Sequence, residues 1–276
     1  MKSKNMSIGF IGAGNMGTAM IRGIIKGNVT KPENVYVYDP FLSENMKQLQ
    51  EELGVDAVSS PAEIVETCQV IIPAVKPHIV PGVLADIADT LTKHHMIISI
   101  AAGVTTLQLK EMVKNNCYVI RTMPNTPALA GEGMTAVCKD PSVPDEYMDL
   151  ACTILKSFGK VEFVSEDQIH AVTAISGSSP AYAFLFLEAL ADGGVLMGLS
   201  REQSYKIAVQ SLLGAAKLMQ ETGKHPGELK DMVCSPSGTT IEAVAYLEDN
   251  GFRGTIIEAV RTCAEKSKHM GELNKS

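Results

Sequence analysis

Positive charge is scarce in this sequence and nowhere concentrated. The chain has 24 lysines and arginines against 31 aspartates and glutamates, a net charge of −7 and a pI near 5.4. That argues against a nucleic-acid backbone or an anionic membrane surface as main partner, since either is held by clustered cations. Cysteine never occurs as CxxC or beside histidine at ligand spacing. Cys68, Cys117, Cys138, Cys152, Cys234 and Cys263 are scattered, so no metal site is expected and reduced, mostly buried thiols are. Cys234 abuts a motif discussed below and reads as a small buried packing residue. The opening MKSKNM runs directly into a strand-like stretch, without an apolar segment of signal-peptide length and a small-residue cleavage site. A cytoplasmic location is therefore expected. Internal repeats and low-complexity segments are missing too. So is any apolar run that must span a membrane. The nearest, residues 168–198, is interrupted by Ser176, Gly177, Ser178, Ser179 and Pro180, and its Glu188 and Asp192 would be costly in lipid.

What is present is a chain of 276 residues, 45% hydrophobic, enough for one large or two ordinary domains with buried cores. From residue 7 to about 164, Ile/Val-rich runs alternate with helical patterns: SIGFIG, NVYVYD, CQVIIPAV, HMIISIAA, CYVIRTM, MTAVC and KVEFV. Alternation of that kind predicts βαβ units and a mostly parallel sheet covered on both faces. From about 165 the strand signal stops and everything reads as helix. The apolar stretch 168–198 predicts a helix buried on most sides, more than its own half-chain can easily cover, and hence a homo-oligomer. Ser200 and Gln203 form a capping-box pattern ahead of Ala208, Leu212, Ala215 and Met219, with Gly223 as the stop. Two more helical patterns follow, one ending at Asn250-Gly251 and one through Ile256, Val260, Cys263 and Ser267. The expected division is residues 1–164 as a cofactor-binding α/β domain and 165–276 as an all-α domain for substrate binding and oligomerisation.

Ile11, Gly12, Ala13, Gly14, Asn15, Met16 and Gly17 carry a G-x-G-x-x-G spacing directly after a strand and at the opening of a helix. Such glycines permit a tight turn, close approach of a pyrophosphate to backbone, and close packing of helix on strand. Asp39 ends the second strand, where a carboxylate accepts hydrogen bonds from a ribose diol and repels a 2′-phosphate. The next ten residues hold only Lys47 as a possible phosphate partner, a local chemistry that leans to NADH. The alternative is that Asp39 merely caps the loop or the helix after it. The strand ends Ala74, Val75, Lys76 and Pro77, and Ala101, Ala102 and Gly103, are expected in the same crevice.

Residues 234–244 read CSPSGTTIEAV. Pro236 and Gly238 precede a helical pattern, so the amides of Gly238, Thr239 and Thr240 are expected to lie unsatisfied at a helix start that attracts an anion. Ser235 and Ser237 add hydroxyls, with Ser237 favoured as the N-cap. A carboxylate suits the size and the absence of arginine, and the spacing alone also admits a phosphate. No lysine occurs between 161 and 205, and the histidines lie outside any acid–base arrangement. Carbonyl reduction wants a strong proton donor at the reacting oxygen, whereas a protonated imine is already an electrophile. A hydride donor, a carboxylate anchor and the Thr240 hydroxyl near nitrogen would suffice.

The motifs IGFIGAGNMG, AVKPH, RTMPNTPA, SGSSPAYAF, HPGELKDMV and SPSGTTIEAV, in this order over residues 6–270, resemble the pyrroline-5-carboxylate reductase family. The resemblance implies an N-terminal Rossmann domain, a helical C-terminal dimerisation domain, and assembly as a dimer or decamer. It further implies reduction of 1-pyrroline-5-carboxylate to L-proline with NADPH or NADH. By motif, Gly12 to Gly17 would hold the pyrophosphate. Ser235 and the amides of Gly238, Thr239 and Thr240 would hold the substrate carboxylate, and the Thr240 hydroxyl the ring nitrogen. Arg121 would brace a loop near the crevice. Two positions depart from the pattern: Ser237 stands where the family more often has glycine, and Asp39 replaces the Ser, Asn or Arg surroundings of many NADPH-preferring members. A hydroxyacid dehydrogenase of the related two-domain type would carry a catalytic lysine on the long helix, and Ala183–Ala191 has none. A non-catalytic dinucleotide sensor would have no use for SPSGTT.

Overall fold

The computed structural model describes residues 6–41 and 43–273. Its chain falls into two compact units, one built from residues up to Gly177 together with the segment from Cys263, the other from Ser178 to Thr262.

The first unit is built on eight strands: β1 (Ile8–Ile11), β2 (Val35–Tyr38), β3 (Asp56–Ala57), β4 (Val70–Pro73), β5 (Met96–Ser99), β6 (Tyr118–Met123), β7 (Gly133–Cys138) and β8 (Gly159–Val164). They lie in the order β3-β2-β1-β4-β5-β6-β7-β8, parallel except where β6 meets β7. The order reverses between β1 and β4, which opens a crevice at their carboxyl ends. β3 escapes a sequence reading because it is two exposed residues at the sheet edge, with no apolar run to announce it. By contrast β1, β4 and β5 are buried at every position, since helices cover both faces. Their period-two pleat deals side chains to two cores. Phe10, Ile72 and Ile98 pack on one face with Phe158, while Ile11, Ile71 and Ile97 pack on the other with Leu84. Each such side chain contributes about 1.5–3 kcal/mol on burial.

The covering helices are α1 (Asn15–Lys26), α2 (Ser43–Leu53), α3 (Pro61–Thr67), α4 (Val80–Ile87), α5 (Thr106–Met112) and α6 (Asp145–Lys156). Ser60 caps α3, and Thr105 with Gln108 forms a capping box at α5. After β8 come a 3-10 turn, the short α7 (Ile169–Val172) and a π-helical turn, Thr173–Gly177. The apolar stretch 168–198 is thus divided at Ser-Gly-Ser-Ser-Pro, where the sequence already reads as interrupted, because Pro180 has no N–H to continue the ladder. Asn125 braces the π turn, its Nδ2 donating to the Ser176 carbonyl at 3.3 Å and hydroxyl at 3.2 Å.

The second unit is helical: α8 (Ser179–Leu196), α9 (Arg201–Thr222), α10 (Pro226–Val233), α11 (Thr239–Asp249) and α12 (Phe252–Leu273), the last running from Cys263 into the first unit. Ser200 accepts from the Gln203 amide at the start of α9, and Gly223 ends it at φ +64°. Helix α10 carries a single apolar turn, Leu229, Met232 and Val233, too short a pattern to announce a helix. Eight residues long, it is begun by Pro226 and by the ring of His225, which accepts the Gly227 amide. A Cβ on Gly194 would stand 2.6 Å from Ser204 Oγ, so glycine here lets α8 and α9 approach closely. The apolar surface of α8 exceeds what its own half-chain covers, as the sequence led one to expect. In the single chain only Ala191 of this helix is buried, while Phe184, Leu185 and Leu196 are 66%, 68% and 85% exposed. A helix apolar all round has more surface than one neighbouring helix can cover. Among the described residues, no helix is long and apolar enough to cross a membrane.

Candidate active site

Strand β1 delivers the chain into the glycine loop. Gly12 has φ +106° and donates its N–H to the Tyr38 carbonyl at 2.8 Å, and a Cβ there would lie 2.7 Å from the Ala74 carbonyl. Gly17 is held the same way, with a Cβ 2.7 Å from the Gly12 carbonyl. The protein's own packing therefore demands both glycines. Gly14 differs. It is the N-cap of α1, no side chain caps its first turn, and a Cβ on it would meet nothing within 4 Å. Its open flank is suited to a ligand lying against the backbone, with the helix start drawing negative charge.

That flank belongs to a cleft of about 730 Å³ at the β1/β4 reversal. Ile11, Gly12, Gly14, Asn15, Met16 and Asp39 line it, together with Ala74, Val75, Lys76, Pro77, Ala101 and Ala102. Three expected residues stand outside the lining. Ala13 is fully buried and donates its N–H to Asp39, Gly17 seats α1 against the loop, and Gly103 turns the chain after β5 at φ +76°. Tyr38, Phe41, Pro61 and Ile79 also line the cleft and were missed. Tyr38 could have been found as a strand end; nothing in the sequence marks the others. Met123 and Pro124, from the RTMP segment, line it as the crevice rule expects. The cleft has the size and the backbone flank that an extended dinucleotide needs. Its charged lining is Asp39, Asp86 and Lys76.

Asp39 makes two bonds to backbone. Its Oδ2 accepts from Ala13 N at 2.7 Å and its Oδ1 from Phe41 N at 3.0 Å. Arg121, on β6, is only 4% exposed and donates to Glu166 Oε1 at 2.6 Å, the same oxygen that accepts the Thr106 amide at 2.6 Å. Burial pushes the Glu166 carboxyl up, but the Thr106 amide and the Arg121 guanidinium outweigh it and hold the group below the usual glutamate range. Arg121 thus ties β6 to the start of α5 and to the turn after β8, a bracing role. In the same motif Asn125 Oδ1 accepts from Met134 N at 2.8 Å.

In the second unit, the SPSGTT stretch folds into a tight turn leading into α11. Gly238 donates its N–H to the Ser235 carbonyl at 3.0 Å, closing a turn with Pro236 and Ser237 at its centre. Ser237 sits at φ +55°, a conformation ordinarily given to glycine or asparagine. A Cβ on Gly238 would fall on Ser235 Oγ, so glycine makes room for that hydroxyl. Two expectations are corrected. Gly238, not Ser237, is the N-cap, and no side chain caps the helix; the Gly238 amide is spent on the turn, so it is not free. The reason is local: closing the turn turns the Gly238 N–H back onto Ser235, before the helix begins. The amides of Thr239 and Thr240 in the first turn remain without a helical carbonyl to bond. Thr240 is half-buried, and Ser235, Ser237 and Thr239 are exposed. Cys234 ends α10 and is half-buried, not buried.

Comparison with known proteins adds names to this geometry. Residues 166–270 match the family described as pyrroline-5-carboxylate reductase dimerisation, and residues 7–103 the family described as NADP oxidoreductase coenzyme F420-dependent. The pyrroline-5-carboxylate reductase of Escherichia coli (strain K12) is 46% identical over 265 residues, covering 96% of this chain and 98% of that protein. That of Methanosarcina acetivorans is 41% identical, covering 98% and 99%. Among solved structures, the Plasmodium falciparum pyrroline carboxylate reductase with NADP bound superposes at a TM-score of 0.87 with 36% identity, covering 97% of this chain and 99% of that one. The Coxiella burnetii pyrroline-5-carboxylate reductase does so at 0.90 with 33% identity, over the same shares.

Proposed function

Because the chain belongs to the pyrroline-5-carboxylate reductase family, we propose how its own residues carry out that family's reaction. The enzyme is an oxidoreductase that reduces the cyclic imine acid 1-pyrroline-5-carboxylate to L-proline with NADH or NADPH, the last step of proline synthesis. It is a homo-oligomer.

The observation that carries the residue assignment is the start of α11, where a glycine N-cap leaves first-turn amides uncapped in a stretch with four hydroxyls, those of Ser235, Ser237, Thr239 and Thr240. Ser235 Oγ and the amides of Thr239 and Thr240 hold the substrate carboxylate, and Gly238 shapes the turn that presents them. The free amides and the helix dipole favour the anion without any cation in the loop. Thr240 Oγ1 accepts the N–H of the protonated ring nitrogen. It has only to hold that proton, since reduction of an iminium carbon discharges the cation and leaves the N–H in place. In the first unit, Gly14 and the α1 amides take the pyrophosphate, with Ile11, Gly12, Ala13, Asn15, Met16 and Gly17 forming the loop around it. Ala74, Val75, Lys76, Pro77, Ala101, Ala102 and Gly103 form the opposite wall. When bound, the dinucleotide supplies the hydride. Residues 1–164 thus serve the cofactor and 165–276 the substrate and the oligomer. Association of dimers into a decamer is the finer reading, which native mass spectrometry decides. We also assign the enzyme to the cytoplasm, where thiols such as Cys68 and Cys117, pushed up to about 12 by burial, stay reduced.

The test is Thr240→Ala. The loss of near-ultraviolet absorbance of the reduced nicotinamide, with 1-pyrroline-5-carboxylate, should slow in kcat/KM by about 100-fold. Cofactor affinity should stay unchanged. Undiminished turnover would remove Thr240 from the mechanism.

A further inference from the structure

NADH and NADPH differ by one phosphate on the adenosine ribose, and in a dinucleotide-binding sheet that ribose lies beside the carboxyl end of the second strand. Here that place is held by Asp39, which follows β2 and lines the cleft. Resting on the cofactor reading above, we propose that Asp39 makes this enzyme select NADH against NADPH.

The carboxylate is held where it is. Its two oxygens accept the Ala13 and Phe41 amides, and Ala13 is fully buried in the glycine loop. Swinging Asp39 aside for a phosphate would strand a buried N–H in the loop that carries the pyrophosphate. Each oxygen keeps lone-pair capacity beyond these bonds, which ribose hydroxyls can fill as donors. A 2′-phosphate has no comparable donor to offer at neutral pH, and it brings like charge into a partly dry cleft.

Among the described residues, the cleft lining offers a single cation against two carboxylates. Lys76 is the only lysine or arginine lining the cleft among the described residues, and it lies past β4; the remaining charged residue of the lining is a second carboxylate, Asp86. Arg22, on α1, is engaged with Glu52 at 2.5 Å and lines a separate pocket of about 130 Å³. From Asp39 to Met46 the sequence holds Asp39 and Glu44 and no basic residue. Exposed Lys47 is the first cation after β2.

Direct binding tests this without turnover. With the full-length oligomer, nicotinamide fluorescence titrations should give NADH a Kd lower than that of NADPH by about 10- to 100-fold. In Asp39→Asn the preference should fall to within a few-fold of unity, chiefly because NADPH binds better. Should that variant fold poorly, the unmodified enzyme still decides, since rising salt must narrow the gap if charge causes it. Equal or tighter NADPH binding by the unmodified protein overturns the proposal while leaving the reductase reading intact. So does a preference that folded Asp39→Asn preserves, or one that salt leaves unchanged. Failure to bind either dinucleotide would sink the cofactor reading itself, and the proposal with it.

Discussion

Two helices of this chain, α1 and α11, begin at a glycine with no side-chain oxygen on their first-turn amides, and they reach that state by opposite routes. At α1 the opening is made by distant parts of the fold. The Ala74 carbonyl confines Gly12, and the Asp39 carboxylate holds Ala13 from 26 residues away. At α11 everything comes from within four residues: Pro236, a left-handed Ser237, and a Gly238 amide turned back onto Ser235. The first is a buried tertiary construction and the second an exposed local turn. A substitution at the first should disturb the whole unit, whereas one at the second should be read mostly in function.

The sharpest way to break this contrast is Gly12→Ala. Left-handed strain and a backbone clash together should destabilise the protein by about 2–4 kcal/mol in denaturant titrations and abolish dinucleotide binding. A variant of normal stability would show that the loop is not sterically fixed. Gly14→Ala should separate packing from binding in the same loop. With no protein atom near the added methyl, the denaturation midpoint should hold while cofactor affinity drops about 10- to 100-fold. Unchanged affinity would mean that the open flank faces no ligand.

The same tertiary dependence is expected of the brace on β6. Glu166→Gln removes the partner of a buried guanidinium and should lower stability by about 1–2 kcal/mol at neutral pH, discounted because Glu166 is itself 41% exposed. Its carboxyl titrates below its unfolded value in the folded chain, so the stabilisation is fully present above about pH 4.3 and fades as pH falls through the folded value. Thermal scans of both proteins should therefore converge in acid, and a gap that widens there would contradict the pairing. The smallest effect belongs to the local turn. Ser237→Gly relieves a left-handed side chain but frees the unfolded chain, for a net gain of about 0.5 kcal/mol. A loss of stability would mean that the serine hydroxyl holds the turn.

Seven strands could be read in advance, from β1, β4 and β5, buried at every position, to β8, with no buried residue, because each carries a run of β-branched or aromatic residues. β3 could not, being two residues recruited by pairing with β2. Caps legible as patterns, Ser200 with Gln203 and Gly223, formed as written because they depend on neighbours within four residues. The apolar helix 168–198 announced more apolar surface than its half-chain could cover, and Phe184 and Leu185 do stay exposed in the single chain; periodicity reports which surface must be covered but not by which copy. Ser237 misled as a cap because hydroxyl content does not reveal where the turn before a helix will close.

By itself the sequence determined the glycine loop after a buried strand, the parallel sheet, and a hydroxyl-rich helix start suited to a carboxylate, all features written in short-range spacing. Only the tertiary structure decided that Gly14 alone among the loop glycines faces open space, that Arg121 spends its charge on Glu166, and that Asp39 is held by Ala13. Those choices rest on contacts between residues far apart in the chain. Spacing cannot encode such contacts, because a side chain's partner depends on which strands the sheet brings side by side.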